Sequence, residues 1–228
     1  HVSLLRAVRR RAEIADVPVG VLLSGGLDSS LLVGLLAETG QRPLTFTIGF
    51  EDQPEEKGSE FEYSDPVVER FDTLHHKFHI PNAQVLSRLP EAVAQMAEPM
   101  VGQDAVAFYL LAEQVSREVK VVQSGQGADE VFGGYFWYPQ MASAEGDLLE
   151  RFAPYYFDRD HDEFCDMVTP GYRGMDHTGA LVRERLATIQ ADEYLDRVLA
   201  FDVTTLIVDD PVKRVDNMTM AWGLEARV

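Results

Sequence analysis

Apolar residues in this chain fall in short runs and one-sided stripes, separated by glycine-rich or polar breaks. Leu4, Leu5 and Val8 recur at helical spacing, and residues 17–23 form an apolar run with Pro18 near its start, which predicts a short strand. A glycine-rich turn follows. Leu31, Leu32, Leu35 and Leu36 then share one helical face until Thr39 and Gly40, where a glycine at the C-terminus ends the helix. Residues 44–50 predict a second strand, 63–71 a helix, 75–80 a third strand, 108–117 a helix and 119–124 a fourth strand. The polar stretch 51–60, with Pro54 and Gly58, predicts a surface loop.

Strand and helix alternate, which predicts an α/β fold: a parallel sheet with helices on both faces and ligands beyond the carboxyl ends of the strands. From about Met141 the strand signal fades and helical patterns such as Leu181, Arg185 and Ile189 take over. The expected organisation is a core of residues 1–140 carrying both glycine-rich loops, continued by a largely helical part, 141–228. The start at His1 without an initiator Met, and the end at Val228, read as a piece cut from a longer protein.

Charge narrows the ligand class. The 38 acidic against 20 basic residues give a formal net charge of -18. Such a surface disfavours the many phosphate contacts of a nucleic-acid partner, so a small-molecule substrate is expected. Arg9, Arg10 and Arg11 read as a solvated helix face. The single cysteine, Cys165, precludes an intramolecular disulfide or a CxxC zinc site, and a reducing cytoplasm fits. No apolar run approaches the roughly 20 residues that span a bilayer, so no membrane partner is expected.

The first chemical motif is Ser24-Gly25-Gly26-Leu27-Asp28-Ser29-Ser30, set between an apolar strand and an apolar helix. Backbone amides and a helix N-terminus bind phosphate at such a position. The loop lacks the Lys-Ser/Thr pair of a P-loop, which disfavours γ-phosphate transfer. An acid among anion-binding amides makes chemical sense if Mg²⁺ bridges it to phosphate, so Asp28 is a candidate metal ligand. The competing reading is a tight turn whose Asp28 stabilises a helix N-terminus. The motif is similar to the pyrophosphate loop of the ATP-pyrophosphatase superfamily, whose members cleave ATP between the α and β phosphates and form adenylated intermediates.

The second motif runs from Ser124 through Gly125, Gln126, Gly127, Ala128, Asp129 and Glu130 to Gly133-Gly134-Tyr135, after the fourth apolar strand. Asp129 is the expected second metal ligand beside Asp28, helping to neutralise charge on departing pyrophosphate, with Glu130 positioning them. This string resembles the asparagine-synthetase branch, as do Leu74-His75-His76 and the closing segment 215–228. The resemblance implies that Leu22, Leu23, Ser24 and Ile48 hold the adenine edge through backbone and that Ser124 and Gly125 line the α-phosphate and ribose. It also implies ATP and Mg²⁺, a small carboxylate substrate with ammonia, and an N-terminal glutaminase domain in the parent protein that lies outside this chain. A homodimer stays open.

Two departures matter. Family members commonly carry Glu where this chain has Gln126, and an amide cannot serve as a base, although it can orient an acyl-adenylate or ammonia. The stretch 98–109 lacks the Thr-Thr-x-Arg run of aspartate-using members, and several phrases resemble instead the branch that amidates N-acetylglutaminylglutamine. Other readings are a tRNA-modifying or NAD-forming ATP-pyrophosphatase, and a non-catalytic ATP-binding module in which Gln126 marks lost chemistry.

Near the C-terminus, Lys213 and Arg214 stand close in sequence to Asp209 and Asp210. Lys213 is a candidate cation for pyrophosphate and Asp210 a candidate acid at the acyl centre; the competing reading is a surface ion-pair cluster. His75, His76 and His79 are expected to play structural roles, since strand neighbours point to opposite faces. Phe132, Tyr135, Trp137 and Tyr138 are candidates for a pocket wall or for core.

Overall fold

The computed structural model describes residues 1–54, 57–99, 102 and 104–228. Glu55 and Glu56 of the expected loop 51–60, and Met100, Val101 and Gln103 of the stretch 98–109, lie outside the described residues. The chain forms two compact units, one of residues 1–127 and 209–228 and the other of residues 128–208. The expected core boundary at 140 and this division after Gly127 therefore differ.

The first unit contains α1 (Val2–Glu13), β1 (Val19–Leu22), α2 (Leu27–Glu38), β2 (Leu44–Phe50), α3 (Phe61–Phe71), β3 (Leu74–Ile80), α4 (Ala83–Gln95), α5 (Ala105–Val115) and β4 (Val121–Gln123). The second contains α6 (Ala128–Phe132), α7 (Tyr138–Ser143), α8 (Leu148–Tyr156), α9 (His161–Met167), a 3₁₀ turn (Pro170–Tyr172), α10 (His177–Thr188) and α11 (Tyr194–Thr204). The chain re-enters the first unit through α12 (Leu206–Asp209), and α13 (Pro211–Met220) and β5 (Glu225–Arg227) complete it.

All five strands are parallel, in the order β3-β2-β1-β4-β5. The chain builds outward from β1 through β2 to β3, then returns to the other side of β1 with β4. The topological switch point therefore lies between β1 and β4, the place where open α/β sheets bind ligands. The pleat of β1 explains the two-sided packing. Val21 and Leu23 pack with Val8, Val33, Leu35 and Leu36, whereas Leu22 packs with Phe46, Leu111, Val115, Val122 and Leu224. Each fully buried Leu or Phe contributes about 1.5–3 kcal/mol of transfer free energy, so both sheet faces hold the strands in place. Gly40, at φ +82, ends α2 as its position in sequence predicts.

The second unit is helical, with its own core of Tyr138, Met141, Phe152, Val182, Leu186, Val198 and Phe201. Capping boxes start α8 at Asp147 with Glu150 and α9 at Asp160 with Glu163.

Candidate active site

The first motif leaves the carboxyl end of β1 and opens α2. Gly25 sits at φ +91, and a Cβ there would run into the backbone of Tyr63 and Ser64, so conformation and space both demand glycine. Ser24 and Ser29 stitch the loop: the Ser24 amide donates to Ser29 Oγ (3.3 Å), the hydroxyls share a bond of 3.1 Å, and the Gly26 amide donates to Ser24 Oγ (3.2 Å). Ser29 Oγ donates onward to the Gly26 carbonyl at 3.3 Å. Gly26 is the N-cap of α2 and brings no side-chain cap, and Asp28 lies in the first turn. The Ser30 hydroxyl oxygen is buried and has no protein partner. An uncapped helix start of 12 residues, with an orphaned hydroxyl in its first turn, fits a phosphate group.

The second motif leaves β4, the strand beside β1. A Cβ on Gly125 would lie 3.0 Å from Asp28 Cβ and 3.1 Å from the Ser29 amide, so the two loops meet backbone against helix start. Ser124 is buried; its amide donates to the Arg227 carbonyl (2.9 Å) and its hydroxyl accepts from the Gln126 amide (3.3 Å). Gly127 takes φ +89.

Leu22, Leu23 and Ile48, the residues expected at the adenine edge, end β1, follow it and lie within β2, respectively, and their side chains are spent on packing. Leu22 and Leu23 enter cores on opposite faces, and half-buried Ile48 packs against the α5 side. Leu23 donates its amide to the Phe46 carbonyl (2.8 Å) and accepts at its own carbonyl from Thr47 Oγ1 (2.5 Å).

Within the second unit, Asp129 and Glu130 open α6. The Gly134 amide donates to the Asp129 carbonyl (2.9 Å), and a Cβ on Gly134 would overlap the Asp129 carboxylate. Glu130 is 1% exposed, and its Oε1 accepts from Tyr135 Oη at 2.6 Å. Burial, then the bond to Glu130, drive the Tyr135 pKa upward, so its proton stays on the phenol. Tyr135 stacks on Trp137 with centroids 4.4 Å apart. Of the aromatic candidates, Tyr138 is core, Tyr135 and Trp137 are half-buried, and Phe132 is 63% exposed.

On α13, Lys213 Nζ pairs with Glu98 and, at 3.3 Å, with Asp209. The Glu98 carboxylate is the main cause that raises the Lys213 pKa. Arg214 is the better buried cation; one guanidinium nitrogen lies 2.9 Å from Asp210 and 3.1 Å from Asp104. Sequence reasoning placed Asp209 and Asp210 here but missed Glu98 and Asp104, which lie more than 100 positions away and carry no local signal. Two histidines of β3 have packing and hydrogen-bonding roles: His75 Nδ1 bonds Thr45 Oγ1 at 2.9 Å, and His76 tilts against Phe46 at 5.3 Å, whereas His79 is exposed. Burial lowers the His75 pKa.

Among the described residues no group of three or more His, Cys, Asp or Glu is arranged to hold a metal. Mg²⁺ is commonly held by one or two carboxylates plus phosphate oxygens and water, so a carboxylate such as Asp28 beside a phosphate cradle suits it.

Comparison with known proteins places these loops in a family. The asparagine synthase family model matches residues 2–228. A glutamine-hydrolysing asparagine synthetase candidate from Mycobacterium tuberculosis is 29% identical over 94% of this chain and 37% of its own length. Asparagine synthetase 1 of Bacillus subtilis is 34% identical over 57% of this chain and 20% of its own. The maize asparagine synthetase is 35% identical over 64% of this chain and 26% of its own. The chain thus spans between 20% and 37% of the length of these relatives. With its two glycine loops side by side at the switch point of a parallel sheet, and the family model matched from residue 2 to residue 228, the chain belongs to the asparagine synthase family.

Proposed function

We propose that this chain is the ATP-using part of an amide-forming synthetase that activates a substrate carboxylate as its acyl-adenylate. The carboxylate oxygen attacks the α-phosphorus of ATP, the bond to the β-phosphate oxygen breaks, and pyrophosphate leaves. Ammonia then attacks the acyl carbon, loses a proton, and expels AMP. Activation replaces a poor leaving group by AMP, and the protein supplies positioning and charge stabilisation.

The observation that carries this reading is the close approach of the loops at Gly125 and Asp28, at the carboxyl ends of β1 and β4. The loop residues Ser24, Gly25, Gly26, Ser29 and Ser30 are assigned to the phosphates, chiefly through the Gly25 and Ser29 amides and the Ser30 hydroxyl, and Leu22, Leu23 and Ile48 to the adenine edge. Ser124 and Gly125 are assigned to the α-phosphate side. Mg²⁺, when bound, offsets the charge of the phosphates, and Asp28 is the carboxylate of the first loop assigned to it. Glu130 is assigned to holding the second motif in position. Gln126 is assigned to orienting the acyl group or ammonia. Asp210 is the proposed acid near the acyl centre, and Lys213, on exchanging Glu98 for a phosphate oxygen, the proposed cation for pyrophosphate.

The nitrogen source in this reading is ammonia delivered by a glutaminase domain of the parent protein, consistent with relatives named glutamine-hydrolysing. The substrate is aspartate or N-acetylglutaminylglutamine. The test is pyrophosphate release from Mg²⁺-ATP with ammonia and either acceptor. Release with one acceptor identifies the substrate. ATP binding without release from either supports the second reading, a nucleotide-binding module, which the amide at Gln126 favours.

A further inference from the structure

The second motif is backed by a buried acid that its sequence does not contain. Asp202, on α11, is 0% exposed. Its Oδ2 accepts hydrogen bonds from Tyr138 Oη (2.7 Å) and from Tyr156 Oη, while Oδ1 is buried with no protein partner. The two tyrosines are themselves part of one aromatic wall. Tyr138 lies 5.5 Å from Tyr135, Trp137 stacks on Tyr135, and Tyr156 meets the edge of Trp137 at 5.9 Å. Tyr135 in turn donates to Glu130, whose other oxygen, Oε2, is also buried without a protein partner. Leu199, three residues before Asp202 on α11, lies against Gly133 of the motif turn.

An apolar core would not hold a carboxylate here without cause. Burying an acid costs free energy unless hydrogen bonds or a counter-charge offset it, a cost that an apolar side chain would not carry. Two phenol donors converging on one oxygen fix both rings in a way that apolar contact does not, because hydrogen bonds set direction as well as distance.

We propose that Asp202 is a positioning residue for the second motif: it anchors Tyr138 and Tyr156, and the aromatic wall they complete fixes Tyr135 and through it the buried carboxylate of Glu130. The titratable groups around Asp202 are Glu130 on α6, Tyr138 on α7 and Tyr156 on α8, with Tyr135 one ring further. Burial raises the Asp202 pKa to about 6, the two tyrosine bonds oppose that rise, and the Glu130 charge adds to it. The inference rests on the reading that the second motif serves ATP-dependent activation.

The test uses this chain with Trp222→Phe, which leaves Trp137 as its sole tryptophan, and compares Asp202→Ala, Asp202→Asn and Tyr156→Phe. Trp137 emission and its quenching by acrylamide report the wall without requiring turnover. Pyrophosphate release reports the motif. Asp202→Ala and Tyr156→Phe are expected to shift emission to the red and raise quenching. In both, kcat for pyrophosphate release falls by about ten- to a hundredfold, the range over which supporting partners of a site act, while KM for ATP stays within about twofold because the first loop is untouched. Asp202→Asn keeps an acceptor for both phenols and restores emission and most of kcat. Unchanged emission in Asp202→Ala and Tyr156→Phe overturns the proposal, as does a parallel loss of kcat, KM and melting temperature with no rescue by Asn. If the unsubstituted chain binds ATP without releasing pyrophosphate, the functional reading fails, and the Trp137 signals still decide whether Asp202 holds the wall.

Discussion

Gly125 and Asp28 stand in close contact: a Cβ at position 125 would lie 3.0 Å from that of Asp28 and 3.1 Å from the Ser29 amide, so the start of α2 would have to give way by a few tenths of an ångström. The contact joins the loop after β4 to the first turn of α2. Gly125→Ala is expected to force the loops apart and to cost about 1–3 kcal/mol of stability, as overpacking does. ATP affinity should fall with it, because the displaced atoms, Asp28 and the Ser29 amide, are those assigned to nucleotide and metal. Thermal melts and calorimetric ATP titration check both; an alanine variant with unaltered melting and affinity sinks the two-loop cradle.

Asp28→Asn separates the two readings of the first motif. As a helix N-terminal charge alone, Asp28 is worth about 0.3–1 kcal/mol, and its loss lowers the melting temperature slightly. As a carboxylate that meets Mg²⁺ and phosphate, its loss should slow pyrophosphate release by about 10²–10³-fold. Rates and melts of the same preparation decide, since a slowed reaction with near-normal melting cannot come from the helix effect.

The strand over 44–50 was legible because proline and polar breaks frame an apolar run of strand length, and 75–80 was legible as a strand although it carries three histidines and a lysine. β5 was not: Glu225-Ala226-Arg227 has no periodicity, and only its pairing with β4 makes it a strand. The helix Ala83–Gln95 was missed, with Pro90 in its interior on the exposed side. Both glycine loops could be read because their chemistry is local. Glu130 with Tyr135 lay within one motif, but the buried acid at 202 is 67 positions from Tyr135, and periodicity treats an acid as solvated. Its one signal was an acid flanked by Leu199, Ala200, Phe201 and Val203, a composition in which an unpartnered carboxylate is rare.

Arg214 answers to two acids at once. Its side chain is 11% exposed and a single guanidinium nitrogen reaches both Asp104 and Asp210. Arg214→Met leaves those partly exposed carboxylates near each other without a cation and is expected to cost about 1 kcal/mol, since water screens both acids. Arg214→Lys should recover only part, because an ammonium lacks the planar fork. Denaturant unfolding of the three proteins tests this, and equal stability of the Met variant would assign the cluster to solvated surface.

Asp202 makes a pH prediction whose sign follows from burial. Its folded pKa of about 6 lies above the unfolded carboxylate value of about 3.9. The folded protein therefore binds the proton more tightly than the unfolded chain, and the stability this confers is full below about pH 4 and lost as pH rises through about 6. At pH 7 the buried charge costs about 3 kcal/mol relative to the protonated form, at about 1.4 kcal/mol per pKa unit. Asp202→Asn cannot ionise. The difference in unfolding free energy between the Asn variant and the parent should thus change in favour of Asn by about 2–3 kcal/mol between pH 4 and pH 7.5, with most of the change between about pH 4 and 6. Urea melts across that range measure it, and taking the difference removes the other acids and histidines that titrate in both proteins. A difference that stays flat would mean that Asp202 is ionised at all these pH values, with the two phenol bonds outweighing its burial.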